Sequence, residues 1–259
     1  MHPQDKIIVV TGAGSGIGKA LVAKFLDAGA RAVVGVDINA DTSEATAQEL
    51  GCIPMTADVA REDDVLRVIE ETERDIGPID LFCSNAGVGA GASEQSPNEE
   101  WQFCWDVNVM AHVYAARHLV PRMIQRGGGY LLNTASAAGL LNQLGGAAYG
   151  VTKHAAVGFA EWLAMTYAHQ GIGVSVLCPQ AVRTAMTENV EDTSTQAAAT
   201  DGMMEPAALA DIVLEHLQRD AFLILTHEEV RQYMQRKSTD YDRWIGGMNR
   251  LYRRLSGAE

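Results

Sequence analysis

Thr11-Gly-Ala-Gly-Ser-Gly-Ile-Gly18 follows directly on the apolar run Lys6-Ile-Ile-Val-Val-Thr11 and leads at once into Ile17–Ala28, where apolar residues recur at helical spacing. A β-branched run, a glycine-rich turn and a helix make the first half of a strand–helix–strand unit. Glycine lets the backbone turn tightly and approach a pyrophosphate, and the helix start then offers free N–H groups at the positive end of its dipole. Gly12, Gly16 and Gly18 give the spacing TGxxxGxG, with Ser15 and Ile17 between them. On its own such a loop is also compatible with a plain tight turn; its position after a first strand and before a helix makes it a candidate phosphate cradle.

The same alternation continues along the chain. Short apolar runs predict strands at Lys6–Thr11, Ala32–Asp37, Cys52–Thr56, Ile79–Ser84, Gly129–Ala135, Gly173–Cys178 and Phe222–Leu225. The intervening segments, such as Val65–Ile76 and Ala147–Ala168, are too long for hairpins and have helical periodicity. Strand–helix alternation of this kind predicts parallel strands with crossover helices: an α/β, doubly wound parallel sheet of Rossmann type in a single domain over residues 1–259. Two segments depart from the rhythm. The stretch at about 184–205 lacks a sustained apolar period and follows a strand's carboxyl end, which suits a substrate lid or a disordered insertion. The tail at about 227–259 carries seven Lys/Arg against five Asp/Glu, and Trp244, Met248, Leu251, Tyr252 and Leu255 make an amphipathic stripe. That stripe suits packing on its own domain or on a neighbouring subunit.

The chain has 259 residues, 47% of them apolar, and a net charge of −13. That charge disfavours diffuse attraction to nucleic acid or anionic lipid. No apolar run approaches the ~18 residues of a spanning helix. The N-terminus shows no signal peptide, so a cytoplasmic protein without nucleic-acid or membrane partners is expected. Cys52, Cys83, Cys104 and Cys178 form no CxxC pair and read as small buried thiols, and the seven histidines have no metal-ligand spacing.

The second strand ends in Asp37, nineteen residues after Gly18. A carboxylate there accepts both hydroxyls of an adenosine ribose and repels a 2′-phosphate. Ile38, Asn39 and Ala40 carry no positive charge, whereas a 2′-phosphate site would place Arg or Lys nearby. NAD is therefore the expected cofactor, with capping of the next turn as the alternative role for Asp37.

Tyr149 and Lys153 are four residues apart on one face of a predicted helix. Lowering a tyrosine pKa from about 10 to near 7 takes about 4 kcal/mol. A unit charge at ~4 Å supplies about that at an effective dielectric of 20. Lys153 is thus expected to supply most of the shift, and the positive nicotinamide ring of an oxidised cofactor the rest. Ser136 closes a strand thirteen residues upstream, at the sheet edge where ligands bind.

Taken with Asp58-Val59, Asn85-Ala-Gly87, Asn108 and Pro179 through Thr184, these motifs resemble the short-chain dehydrogenase/reductase family, over essentially residues 6–225. The resemblance implies an oxidoreductase that moves a hydride between NAD and a secondary alcohol or ketone, without a metal. Tyr149 would be the general acid/base, Lys153 would bind the nicotinamide ribose, Ser136 would hold the reacting oxygen, and Asn108, within a long helix beginning near Pro97, would bind a water for proton exchange. Gly12, Ser15, Gly16, Ile17, Gly18, Asp37, Ile38, Asp58, Val59, Asn85, Ala86, Gly87, Pro179, Val182 and Thr184 would contact the cofactor together with Tyr149 and Lys153. Ser136, Ala138, Gln143, Tyr149, Gln180 and Met186 would contact the substrate. Homodimers or homotetramers would form through the helices holding Asn108 and Tyr149. Two departures stand out: Ser84 replaces an Asn and is expected to bond across the sheet, and Gln180 replaces a Gly and puts an amide near the substrate. The lining expected from Leu140, Leu141, Leu144, Met186, Met203 and Met204 suits a hydrophobic substrate, and only Arg183 supplies a cation at the lid. A catalytically silent NAD-binding sensor of the same fold is the alternative; it leaves the joint presence of Ser136, Asn108, Tyr149 and Lys153 unexplained.

Overall fold

Near-continuous runs of Val, Ile and Leu form strands that are covered on both faces, and parallel strands need helices to cross between them. The computed structural model describes residues 1–187 and 193–258. In chain order the elements are β1 (Ile7–Thr11), α1 (Gly16–Asp27), β2 (Ala32–Asp37), α2 (Ala40–Leu50), β3 (Ile53–Thr56), α3 (Glu62–Asp75), β4 (Leu81–Ser84), α4 (Asn98–Trp105), α5 (Ala111–Gln125), β5 (Gly129–Thr134), α6 (Ala138–Leu141) and α7 (Ala147–Tyr167). There follow β6 (Ile172–Cys178), α8 (Thr193–Ala198), α9 (Pro206–Gln218), β7 (Leu223–Leu225), α10 (Glu228–Thr239) and α11 (Tyr241–Ser256). The seven strands form one parallel sheet in the order β3-β2-β1-β4-β5-β6-β7. The expected doubly wound fold is the one observed.

Strand positions agree with the sequence reading to within two residues. Lys6 drops out because its N–H turns back to the Pro3 carbonyl at 3.0 Å. Ile79 and Asp80 precede β4 because the Asp80 carboxylate is taken up by the Ile7 N–H, at 2.9 Å, and by Lys6. The helix predicted at Val65–Ile76 starts earlier, at Glu62, where three acidic residues in the first turn favour the helix dipole. The long helix expected from Pro97 is interrupted by a wider π-helical turn, Asp106–Met110, which carries Asn108. Its cause is visible: the Asn108 amide accepts from the Val88 N–H and donates to the Val88 carbonyl, both at 2.9 Å, drawing the helix toward the β4 loop.

Each sheet face has its own apolar layer. On one, Leu21 and Phe25 of α1 meet Leu209, Val213 and Leu217 of α9 over Ile8, Val10 and Leu132. On the other, Val65 and Ile69 of α3, Leu119 and Met123 of α5 and Leu163 of α7 cover Val9, Phe82 and Leu131. Each such side chain contributes roughly 1.5–3 kcal/mol on burial. All four cysteines are buried free thiols. No helix among the described residues is long and apolar enough to cross a membrane.

The order reverses between β1 and β4: β2 and β3 lie to one side, β5 to β7 to the other. The loops leaving β1 and β4 therefore diverge, opening a crevice at the strands' carboxyl ends. All the candidate residues after β1, β2, β4, β5 and β6 lie along that edge.

Candidate active site

The β1–α1 loop is shaped by its glycines. Gly12 and Gly16 adopt φ of +67° and +51°. A Cβ on Gly18 would lie 2.0 Å from the Gly12 carbonyl oxygen, so the helix packs against the strand end only without one. Ser15 starts α1 in an extended conformation and provides no side-chain cap, which leaves the first-turn N–H groups directed outward from the loop. Asp37 lies beside this loop: its carboxylate accepts from the Gly14 N–H at 2.8 Å and from the Asn39 N–H at 3.0 Å. It therefore holds the following turn, the alternative role expected of it, and each oxygen keeps a further lone pair. Ile38, beside it, is 68% exposed. Asp58 Oδ1 accepts from the Ala60 N–H at 3.0 Å, and Val59 is buried next to it. The positive-φ glycines, the uncapped helix start and the Asp37 carboxylate fit a dinucleotide pyrophosphate and ribose.

Asn85 ties three strand ends together. Its N–H meets Thr11 Oγ1 at 2.9 Å, its amide donates to the Thr11 carbonyl at 3.0 Å, and its Oδ1 accepts from Thr134 Oγ1 at 3.2 Å. A Cβ on Gly12 would come within 3.0 Å of Ala86, and one on Gly87 within 3.2 Å of both Asn108 Oδ1 and Lys153 Nζ. The glycine loop, the β4 loop and the lysine are thus contiguous. At the lid root, Thr184 Cγ2 lies 2.9 Å from where a Gly16 Cβ would be, and Val182 bridges to Met204. The bond across the sheet expected of Ser84 is not formed among the described residues, and the Nδ2 of Asn133, its register partner on β5, is buried without a partner.

Ser136, Tyr149 and Lys153 converge from the end of β5 and the first turns of α7. The Ser136 hydroxyl accepts from the Ala138 N–H at 3.1 Å and donates to the Pro179 carbonyl at 3.4 Å. The same hydroxyl also lowers the pKa of the neighbouring Tyr149 phenol. Lys153 is 3% exposed, donates to the Thr134 carbonyl at 3.1 Å and lies 5.6 Å from the Tyr149 ring centre. Burial disfavours its charge and lowers its pKa to about 8. Burial raises that of Tyr149, with the Ser136 hydrogen bond acting the other way. The downward pull expected from Lys153 and from a nicotinamide ring works against this upward push of burial. Asn108 is fully buried, its amide donating to Thr152 Oγ1 at 3.1 Å as well as to Val88.

Tyr149 opens onto a cavity of about 610 Å³. Ser136, Ala138, Gln143, Tyr149, Gln180 and Met186 all line it, as do Leu141 and Leu144. Leu140 instead packs into the core and Met204 against Val182, so neither faces the cavity, and Met203 is also absent from its wall. Part of the expected lid, Glu188, Asn189, Val190, Glu191 and Asp192, lies outside the described residues, as does Glu259. The rest of the lid includes α8 and a 3-10 turn at Ala199–Asp201. Gln180 holds that turn, its amide donating to the Ala198 carbonyl at 3.0 Å and to Asp201 Oδ2 at 2.8 Å. Sequence reasoning missed one whole wall. Tyr233 and Arg236 of α10 and Trp244, Met248 and Leu251 of α11 complete the cavity. The apolar stripe of α11 was the signal for it; what the stripe packs on is a matter of tertiary docking. Among the described residues no group of three or more His, Cys, Asp or Glu is arranged to hold a metal ion.

The model of the short chain dehydrogenase family matches residues 6–195. The chain is 36% identical over 240 residues to 1-deoxy-11-beta-hydroxypentalenate dehydrogenase of Streptomyces exfoliatus, covering 89% of this chain and 86% of that protein. Among solved structures it is similar to a short chain dehydrogenase/reductase from Burkholderia phymatum in complex with NAD, with a TM-score of 0.87 and 27% identity over 93% of this chain and 96% of that one. A 3-ketoacyl-(acyl-carrier-protein) reductase from Brucella melitensis complexed with NADH gives 0.78 and 27%, covering 86% and 97%. The chain belongs to the short chain dehydrogenase family.

Proposed function

We propose that this short chain dehydrogenase moves a hydride between NAD and a hydrophobic secondary alcohol or its ketone, with Tyr149 as the general acid/base. The observation that carries this reading is one turn of α7. Tyr149 faces the cavity, and Lys153, four residues on, meets Gly87 and Asn108 at the glycine-loop crevice. A substrate in the cavity and a dinucleotide in the crevice would therefore meet at this turn. The NAD-bound and NADH-bound relatives and the Asp37 carboxylate without a neighbouring cation support NAD as the partner.

When bound, NAD supplies the site that gives or accepts the hydride. The chain's own residues manage the oxygen and its proton. Ser136 and Tyr149 together hold the reacting oxygen, and the partly buried phenol, its pKa raised, donates its proton as a carbonyl becomes an alcohol. In the reverse direction the phenol first has to lose that proton, and a protonated Lys153 favours that loss. Asn108, locked by Val88 and Thr152, would hold a water that links Lys153 to solvent for proton exchange.

Exposed Phe103 and Trp105 of α4 and Val151, Trp162 and Met165 of α7 support a homodimer or homotetramer through these helices. Four free buried thiols support a reducing, cytoplasmic setting for a single-domain protein. The cofactor reading is tested by titrating the protein with NAD+ and NADP+. NAD+ is expected to bind at least about tenfold more tightly, and Asp37→Ala with Ile38→Arg to invert the order. Equal affinities, or tighter NADP+ in the unaltered chain, would contradict it.

A further inference from the structure

The cavity walls are largely apolar, and among the described residues three charged side chains line them: Glu100, Asp201 and Arg236. Two of these are engaged. Glu100 Oε2 accepts from the Gly91 N–H at 3.1 Å. Asp201 uses both oxygens, one for the Gln180 amide at 2.8 Å and one for the Tyr233 hydroxyl at 2.9 Å. Arg236 is different. Among the described residues its guanidinium has no ion pair and no hydrogen bond, and it lies over the Tyr233 ring, 5.5 Å from the centroid. Neighbouring cations of α10 are taken: Arg231 pairs with Glu228, and Lys237 donates to the Leu140 carbonyl at 2.7 Å. The ring beneath Arg236 is fixed in turn by Asp201 at its hydroxyl and by Trp244, whose ring centre is 6.2 Å away. A solvent-exposed cation stacked on an anchored aromatic ring at the rim of an apolar cavity, with no protein partner for its donors among the described residues, is open to an anion.

We propose that Arg236 is a specificity-determining residue and that the substrate is an apolar alcohol or ketone bearing a carboxylate at the end remote from the reacting carbon. This deepens the dehydrogenase reading of the same cavity and rests on it. A carboxylate fits better than a phosphate group. One guanidinium offers a bidentate fork for a single negative charge, and Asp201 and Glu100 nearby would repel a dianion. The lining expected from the sequence lacked this cation because Arg236 lies 87 residues after Tyr149 in the chain.

The test uses two matched pairs, 4-(4-hydroxycyclohexyl)benzoate with its methyl ester and 12-hydroxyoctadecanoate with its methyl ester. Each is assayed for kcat/KM with NAD+ and for calorimetric binding in the presence of NADH. In the unaltered enzyme at least one acid is expected to exceed its ester about tenfold, a preference that shrinks as salt is raised. Arg236→Gln should bring that ratio near one by slowing the acid far more than the ester, and Arg236→Lys should keep part of it. Arg250→Gln, an equal change of charge in the separate depression on α11, should leave it intact. An equal or better ester in both pairs, or a ratio unchanged by Arg236→Gln, overturns the proposal. If no alcohol turns over but acids bind in an Arg236-dependent way, the anion site stands and the dehydrogenase reading falls. If neither acid binds better than its ester, the anion site falls.

Discussion

Lys153 concentrates the conflict between stability and function in one residue. Its folded pKa of about 8 is below the ordinary 10.5, so the unfolded chain holds the extra proton between those values. Stability therefore rises with pH across that window, and below about 8 the full penalty, about 3 kcal/mol, applies. Lys153→Met is expected to raise the melting temperature at pH 7 while abolishing turnover, with the stability gain fading toward pH 10; thermal melts across that range check it. His112 adds an acid limb. Burial lowers its pKa to about 4 from 6.5, so stability should fall by about 3 kcal/mol as pH drops through that interval, and His112→Gln should flatten the fall measured by urea titration. At this scale the sequence was most legible. Tyr149, Lys153 and Ser136 announce themselves through local spacing, since four residues on a helix is one face. The protonation balance between Tyr149 and Lys153 was not legible, because it depends on burial by distant elements.

At the level of elements, the β1–α1 junction and the Gln180–lid contact make separate predictions. Gly18→Ala places a Cβ 2.0 Å from a backbone oxygen, a contact that no side-chain shift relieves. It should destabilise the fold by more than about 2 kcal/mol and remove dinucleotide binding, as read by denaturant titration and by ligand titration. Gln180→Gly removes both bonds that hold Ala198 and Asp201. It should raise KM several-fold with a smaller change in kcat, because Asp201 then fixes Tyr233 less well. Strands and crossover helices were readable from apolar period alone. The π-helical turn at Asp106–Met110 was not, since one widened turn barely disturbs the helical pattern and its cause, Val88, lies on another loop.

For the whole molecule, the sheet provides the crevice and the C-terminal helices close the cavity. The amphipathic stripe of Trp244, Met248 and Leu251 was visible in the chain, but its docking over α8 and Tyr233 arises only when residues far apart in sequence meet. The same separation hid Arg236. Because α11 buries no residue fully and adds nothing to the sheet, ending the chain after Thr239 should leave the far-ultraviolet spectrum of the α/β core nearly unchanged. Binding of bulky apolar substrates should weaken roughly tenfold or more as the wall is lost, which calorimetry against the full chain would show.

The central claim is that Tyr149 handles the proton while a hydride passes to NAD. Its most direct measurement is NADH formation by the unaltered chain and by Tyr149→Phe, with NAD+ and a panel of cyclic, aromatic and aliphatic secondary alcohols. The account predicts turnover that falls by at least about a thousandfold in Tyr149→Phe while NAD+ affinity stays within about threefold. Turnover that survives the loss of the phenol hydroxyl, or NAD+ binding with no turnover of any alcohol or of the matching ketones with NADH, would contradict it.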